Sequence, residues 1–172
     1  MTIKKPPKIK TERLLLQPFL EESRASAIKL FTDKKVCETY MFPEFQGEEA
    51  SLFFTRFKAA SENPERFIYA AYFEKIFIGF INYVSIEGKT IELGYVIAPA
   101  YQKKGFATEM LQVAVAELFA EGYEVIRCGF FEGNIASQRV MEKAGFLKTE
   151  KQEEIIYRKL KHKCFYMEIK KS

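Results

Sequence analysis

Three groups of residues have types and spacing that could do chemistry. The first is Ala98-Pro99-Ala100-Tyr101-Gln102-Lys103-Lys104-Gly105-Phe106-Ala107-Thr108-Glu109, between a strand-like run ending at Ile97 and an amphipathic helical pattern. Gly105 removes a side chain where backbone amides would approach a ligand, and Ala107 keeps the next turn small. First-turn amides have no intrahelical acceptor, and the helix dipole adds partial positive charge there. With Lys103 and Lys104 beside them, these parts suit a diphosphate. An ordinary strand-to-helix turn with surface lysines accounts for the same residues. The loop is not a Walker A P-loop, and its single glycine does not make the dinucleotide fingerprint.

The second group is Glu92, a carboxylate inside the apolar run Ile91–Ile97 and in phase with Val96. An unpaired buried carboxylate is costly, so its presence asks for a reason. A solvent-facing strand glutamate, or one paired with a lysine, is the plain alternative. The third group is Asn134 and Ser137, three residues apart at a helix start. Asn134 reads as an N-cap, and the Ser137 hydroxyl is either a donor or a first-turn serine bonded to backbone.

Other chemistries are excluded early. His162 is the one histidine, inside Arg158-Lys159-Leu160-Lys161-His162-Lys163, so neither a two-histidine metal site nor most histidine-based hydrolase mechanisms can be assembled. It reads as a solvated loop residue. Cys37, Cys128 and Cys164 are far apart with no CxxC spacing, which predicts three buried reduced thiols, no metal site and a reducing cytoplasm. Cys128 has no base near it in sequence and is not expected to act as a nucleophile.

Composition sets the frame for these groups. The 172 residues, 48% apolar with 17 Phe and 9 Tyr, predict one folded domain over 1–172, with 1–10 as a flexible or edge-packed lead-in. No uncharged apolar run approaches about 18 residues, so no membrane span is expected. A net charge of +4 permits an anionic ligand. It does not announce nucleic acid, which is not expected as a partner.

The periodicity predicts a strand over 11–19, helices over 21–31 and 48–60, and strands over 66–73, 76–86 and 90–97. A helix over 105–121 follows, with Glu109 facing out, then a strand over 123–131 and a helix over 134–144 ended by Gly145. Strands over 146–157 and 163–170 close the chain around a basic turn. The order β-α-α-β-β-β-α-β-α-β-β describes an α/β (α+β) domain with a mixed, mainly antiparallel, seven-stranded sheet.

Gln102-x-x-Gly105-x-Ala107 matches the pyrophosphate loop of the GNAT acetyltransferase superfamily, in its expected place after a strand and before a long helix. Thr11-Glu12-Arg13-Leu14-Leu15-Leu16, Asn134-Ile135-Ala136-Ser137 and Glu142-Lys143-Ala144-Gly145-Phe146 resemble elements of its RimJ/RimL-like branch of ribosomal-protein N-acetyltransferases. These four ordered elements span residues 11–146.

The resemblance implies transfer of an acetyl group from acetyl-CoA to a primary amine by direct attack, without a metal. It implies that the backbone of Tyr95, Val96 and Ile97 pairs with the pantetheine arm. It gives the pyrophosphate to Gln102, Lys103, Lys104, Gly105, Phe106, Ala107 and Thr108, and the thiol end to Asn134 and Ser137. Glu92 corresponds to a proposed general base acting through water. Many members carry a tyrosine acid seven residues after the asparagine; Met141 stands there and cannot donate, which leaves Ser137 as the catalytic donor. The acceptor is expected to lie between about 33–50 and 150–165, where Glu38, Glu44, Glu48 and Glu49 could meet a cationic amine or simply be surface acids. A protein N-terminus, a small amine such as a polyamine, aminoglycoside or amino acid, and a silent acyl-CoA-binding domain all stay open. So does a homodimer.

Overall fold

Strand-period and helix-period apolar patterns alternate along the chain, and the backbone follows them. The structure, a computed structural model, describes residues 5–172. The strands are β1 (Ile9–Lys10), β2 (Leu14–Gln17), β3 (Ile68–Phe73), β4 (Ile76–Glu87), β5 (Thr90–Ile97), β6 (Val125–Phe131), β7 (Leu147–Tyr157) and β8 (Leu160–Lys170). The helices are α1 (Arg24–Phe31), α2 (Lys34–Thr39), α3 (Glu49–Glu62), α4 (Phe106–Ala120) and α5 (Ile135–Lys143). The sheet order is β1-β2-β3-β4-β5-β6-β8-β7, antiparallel except for β5 beside β6. A mixed, mainly antiparallel sheet is therefore found as expected.

Several details differ from the sequence expectation. The sheet has eight strands, not seven, because Ile9–Lys10 pairs with Leu15–Leu16. The described part of the lead-in is packed: Lys5 is buried and its ammonium donates to the carbonyls of Ser61 (3.1 Å) and Ile68 (2.7 Å). Residues 1–4 lie outside the described residues. Helix α2 is additional, started by Asp33, whose carboxylate accepts from the Val36 amide. The basic turn shrinks to Arg158-Lys159, both at positive φ (51° and 67°). That is the backbone of a primed two-residue hairpin turn, which glycine or asparagine usually marks in a sequence. His162 consequently sits on β8 rather than in a loop, and its ring stacks on Phe131 with centroids 4.4 Å apart.

Helices cover both sheet faces. Alternate β5 residues Ile91, Leu93 and Ile97 pack on the face under α4, whose buried positions Phe106, Met110, Leu111, Ala114, Val115 and Leu118 form one stripe. On the other face α1, α2 and α3 close an aromatic core around Phe80, which meets Phe57 (5.1 Å), Tyr40 (5.4 Å) and Phe19 (6.0 Å). Val96 belongs to that second core, so Glu92, Gly94 and Val96 share its face of the sheet. The two sides of β5 thus look into different chemical surroundings.

Candidate functional site

The loop between β5 and α4 is held open from its strand side. The Gln102 side chain turns back and donates to the Ile97 carbonyl at 2.8 Å. Lys103 and Gly105 both adopt positive φ (61° and 83°), and Gly105 is the N-cap of α4. Only glycine holds that backbone without strain, and a Cβ there would also meet Arg13 Nη2 at 3.3 Å. No described residue accepts from the amides of Phe106, Ala107 or Thr108, which stand free at the helix start.

These amides border a cavity of about 600 Å³ that runs beside β5. It exists because β5 and β6 part company: their ladder runs from Thr90–Val125 to Leu93–Cys128 and stops. Beyond it Gly94–Ile97 remains paired to β4 on one side and faces the gap on the other with no partner strand, the Ile97 carbonyl being taken by Gln102. Such a strand flank accepts an extended ligand as an added strand. On β6, Gly129 lines the gap; a Cβ there would strike the Tyr166 ring at 2.9 Å.

At the inner end stands the first turn of α5. Asn134 Oδ1 accepts from the Ser137 amide at 3.2 Å, an N-cap that fixes both residues against the cavity. The Tyr95 hydroxyl lies 3.0 Å from Ser137 Oγ and donates weakly to the Ser137 carbonyl at 3.3 Å. Burial pushes the Tyr95 phenol far up, so it stays protonated. Met141 is fully buried and belongs to the core under α4.

The residues read from sequence divide as follows. Tyr95, Val96, Ile97, Gln102, Lys103, Gly105, Ala107, Thr108, Asn134 and Ser137 all line the cavity. Lys104 and Phe106 do not: the Lys104 carbonyl is taken by Arg13 Nη1 at 3.0 Å, and the Phe106 ring is buried against Phe73 at 4.9 Å. Phe106 therefore has only its backbone to offer a ligand, while the Lys104 side chain is exposed. Glu109 does not face out; its carboxylate is bound by Thr11 Oγ1, the Arg13 amide (2.8 Å) and Arg13 Nε (2.9 Å).

Glu92 is half-buried and shares its sheet face with Gly94 and Val96, which line the cavity, but is not itself part of the lining. Burial raises its carboxyl above the usual range, against the pull of Lys151 and Arg127. Arg127 is itself paired with Glu168 at 2.7 Å. Cys37, Cys128 and Cys164 are buried and unpaired, and burial pushes the Cys128 thiol up, away from the reactive thiolate.

None of Glu38, Glu44, Glu48 and Glu49 lines the cavity, and all four are exposed. Lys35, Lys103, Arg139 and Lys143 line it instead, with no acidic side chain among the described residues. Sequence reading missed Lys35 and Arg139, although Arg139 and Lys143 are one turn apart on α5 and share a face. It also missed Tyr40, whose hydroxyl donates to Asn82 Oδ1 at 2.9 Å where Gly94 leaves room for the ring. The signal available was Asn82, a polar residue in the apolar run Ile76–Ile81 and Tyr83. The β7–β8 turn reaches the same region: Tyr157 donates to the Phe42 carbonyl at 3.1 Å.

Free helix amides, a gap between the two parallel strands and an entirely cationic set of charged groups lie together in this mixed α/β fold, an arrangement suited to an extended anionic ligand. Residues 13–147 match the family described as "Acetyltransferase (GNAT) domain". The N-acetyltransferase YnaD of Bacillus subtilis (strain 168), described as uncharacterized, is 32% identical over 139 residues, 80% of this chain and 81% of that one. A GNAT-family acetyltransferase from Bacillus anthracis superposes with a TM-score of 0.81 at 26% identity, over 95% of this chain and 98% of that chain. The RimL ribosomal L7/L12 alpha-N-protein acetyltransferase in complex with coenzyme A shares the fold, with a TM-score of 0.79 at 15% identity over 95% and 97% of the two chains. The chain belongs to the GNAT acetyltransferase family.

Proposed function

We propose that this protein transfers the acetyl group of acetyl-CoA to a primary amine. The observation that carries the reading is the continuity of one cavity from the free amides of Gly105–Thr108, along the unpaired flank of Tyr95–Ile97, to Ser137. The diphosphate meets the amides and Lys103, and the pantetheine arm runs along β5 as an added strand. Asn134 and Ser137 then flank the thioester.

The amine nitrogen attacks the thioester carbonyl carbon; the C–N bond forms and the C–S bond breaks. The departing thiolate takes its proton from Ser137 Oγ, which recovers one from solvent. The proton lost by the nitrogen passes through water to Glu92, whose proton affinity burial raises. No covalent enzyme intermediate is formed. The acceptor approaches between Thr39–Tyr40 and the β7–β8 turn, and the acceptor class extends from a protein N-terminus to small amines.

Acetyl transfer tests this reading by release of CoA thiol over a panel of amines and peptides, beside the melting temperature with and without acetyl-CoA. Thermal stabilisation with thiol release supports it. Stabilisation with no release over the whole panel favours a silent acyl-CoA-binding domain, and no stabilisation at millimolar acetyl-CoA removes both.

A further inference from the structure

Thr11 and Arg13 lie outside the cavity, yet they converge on its phosphate-facing loop. Both oxygens of Glu109, in the first turn of α4, are taken up by this segment: Oε1 by Arg13 Nε at 2.9 Å, Oε2 by the Arg13 amide at 2.8 Å and by Thr11 Oγ1. Arg13 Nη1 reaches on to the Lys104 carbonyl at 3.0 Å, and the guanidinium lies 4.2 Å over the Phe106 ring. One side chain therefore ties the first turn of α4 to the peptide that enters it.

Two consequences follow from elementary geometry and charge. In a planar trans peptide the carbonyl and the amide point in opposite directions. Drawing the Lys104 carbonyl toward Arg13 therefore turns the Gly105 amide away from Arg13 and toward the cavity that Gly105 lines. Glu109, meanwhile, is a negative charge within one turn of the anion-facing amides, where it would repel a diphosphate. Arg13 neutralises it in place.

We infer that Thr11, Arg13 and Glu109 form a positioning clamp for the diphosphate of acetyl-CoA: Arg13 aims the Gly105 amide and cancels the charge of Glu109. This rests on the reading that the diphosphate occupies the 102–108 loop. The hydrogen bonds hold Glu109 ionised: burial alone would raise its carboxyl, and the bonds from Thr11 and Arg13 bring it below the ordinary value instead.

The test compares acetyl-CoA with S-acetylpantetheine, which carries the same thioester without a diphosphate. KM and kcat are measured for both donors in the native protein, Arg13→Lys, Arg13→Gln and Arg13→Gln/Glu109→Gln. Arg13→Gln is expected to raise KM for acetyl-CoA about tenfold, leaving kcat and the S-acetylpantetheine parameters within about threefold. Arg13→Lys, which keeps the charge but not the fork, loses less. Removing the stranded carboxylate in the double variant recovers part of the affinity. Equal losses for both donors, or a double variant as weak as Arg13→Gln, overturn the clamp and leave a structural contact. Should Arg13→Gln not fold, Arg13→Lys decides alone: a KM increase confined to acetyl-CoA supports the clamp, and unchanged or equally weakened donors overturn it. A native protein that does not prefer acetyl-CoA overturns the loop reading and the clamp with it.

Discussion

The hydroxyls of Tyr95 and Ser137 are 3.0 Å apart, joining β5 to the first turn of α5 at the inner end of the cavity. Burial keeps the Tyr95 phenol protonated, so its one hydrogen goes either to the Ser137 carbonyl or to Ser137 Oγ. When Tyr95 donates to Oγ, the hydrogen of Ser137 is free to turn toward the thioester sulfur. Ser137→Ala should lower kcat about 100-fold, and Tyr95→Phe about tenfold, with KM for acetyl-CoA little changed. The double variant should be no slower than Ser137→Ala, because both act through one proton. Steady-state rates in the four proteins check this; additive losses would mean that the two hydroxyls act separately.

Glu92 gives a pH prediction with a defined sign. Burial raises its pKa, and a base works only when deprotonated, so kcat at saturating acceptor should fall with pH through a midpoint above the ordinary glutamate value of about 4.3. Glu92→Gln should be about 100-fold slower at neutral pH, the gap narrowing as pH falls. A gap that stays constant over the whole profile would remove Glu92 as the base. Stability runs the opposite way: a raised folded pKa means the charged form is disfavoured on folding above that pKa. Glu92→Gln should therefore melt no lower than the native protein at pH 7.

Gly105→Ala places a Cβ at φ +83° and 3.3 Å from Arg13 Nη2. The left-handed backbone costs about 1–2 kcal/mol in a residue with a side chain, and the displaced guanidinium loosens the loop. Urea denaturation should report a loss of about that size, and titration with acetyl-CoA a weaker affinity. Unchanged affinity would separate the Gly105 backbone from cofactor binding.

The elements that carry the site were legible because they depend on local signals. Gly105 after the Ile91–Ile97 run, the stripe of α4 and the Asn134 cap are each written within one helix or strand. What escaped depends on pairing across the chain. Nothing near Glu109 shows that Thr11 and Arg13 will bind it from 98 and 96 residues away in sequence, so it read as an outward residue. The Arg158-Lys159 turn lacks the glycine that would announce it, which hid the true start of β8 and the place of His162. Glu92 was legible as an oddity in an apolar strand. Its place outside the cavity lining was not legible, because it depends on where the cavity ends along β5: Gly94 and Val96, on the same face, line it and Glu92 does not.

The central claim is tested most directly by a crystal structure of the protein with coenzyme A. The account predicts diphosphate oxygens within about 2.7–3.2 Å of the backbone amides in Gly105–Thr108, and the pantetheine arm in the gap beside Tyr95–Ile97. Coenzyme A bound elsewhere, with those amides free of phosphate and the gap beside β5 empty, would contradict it.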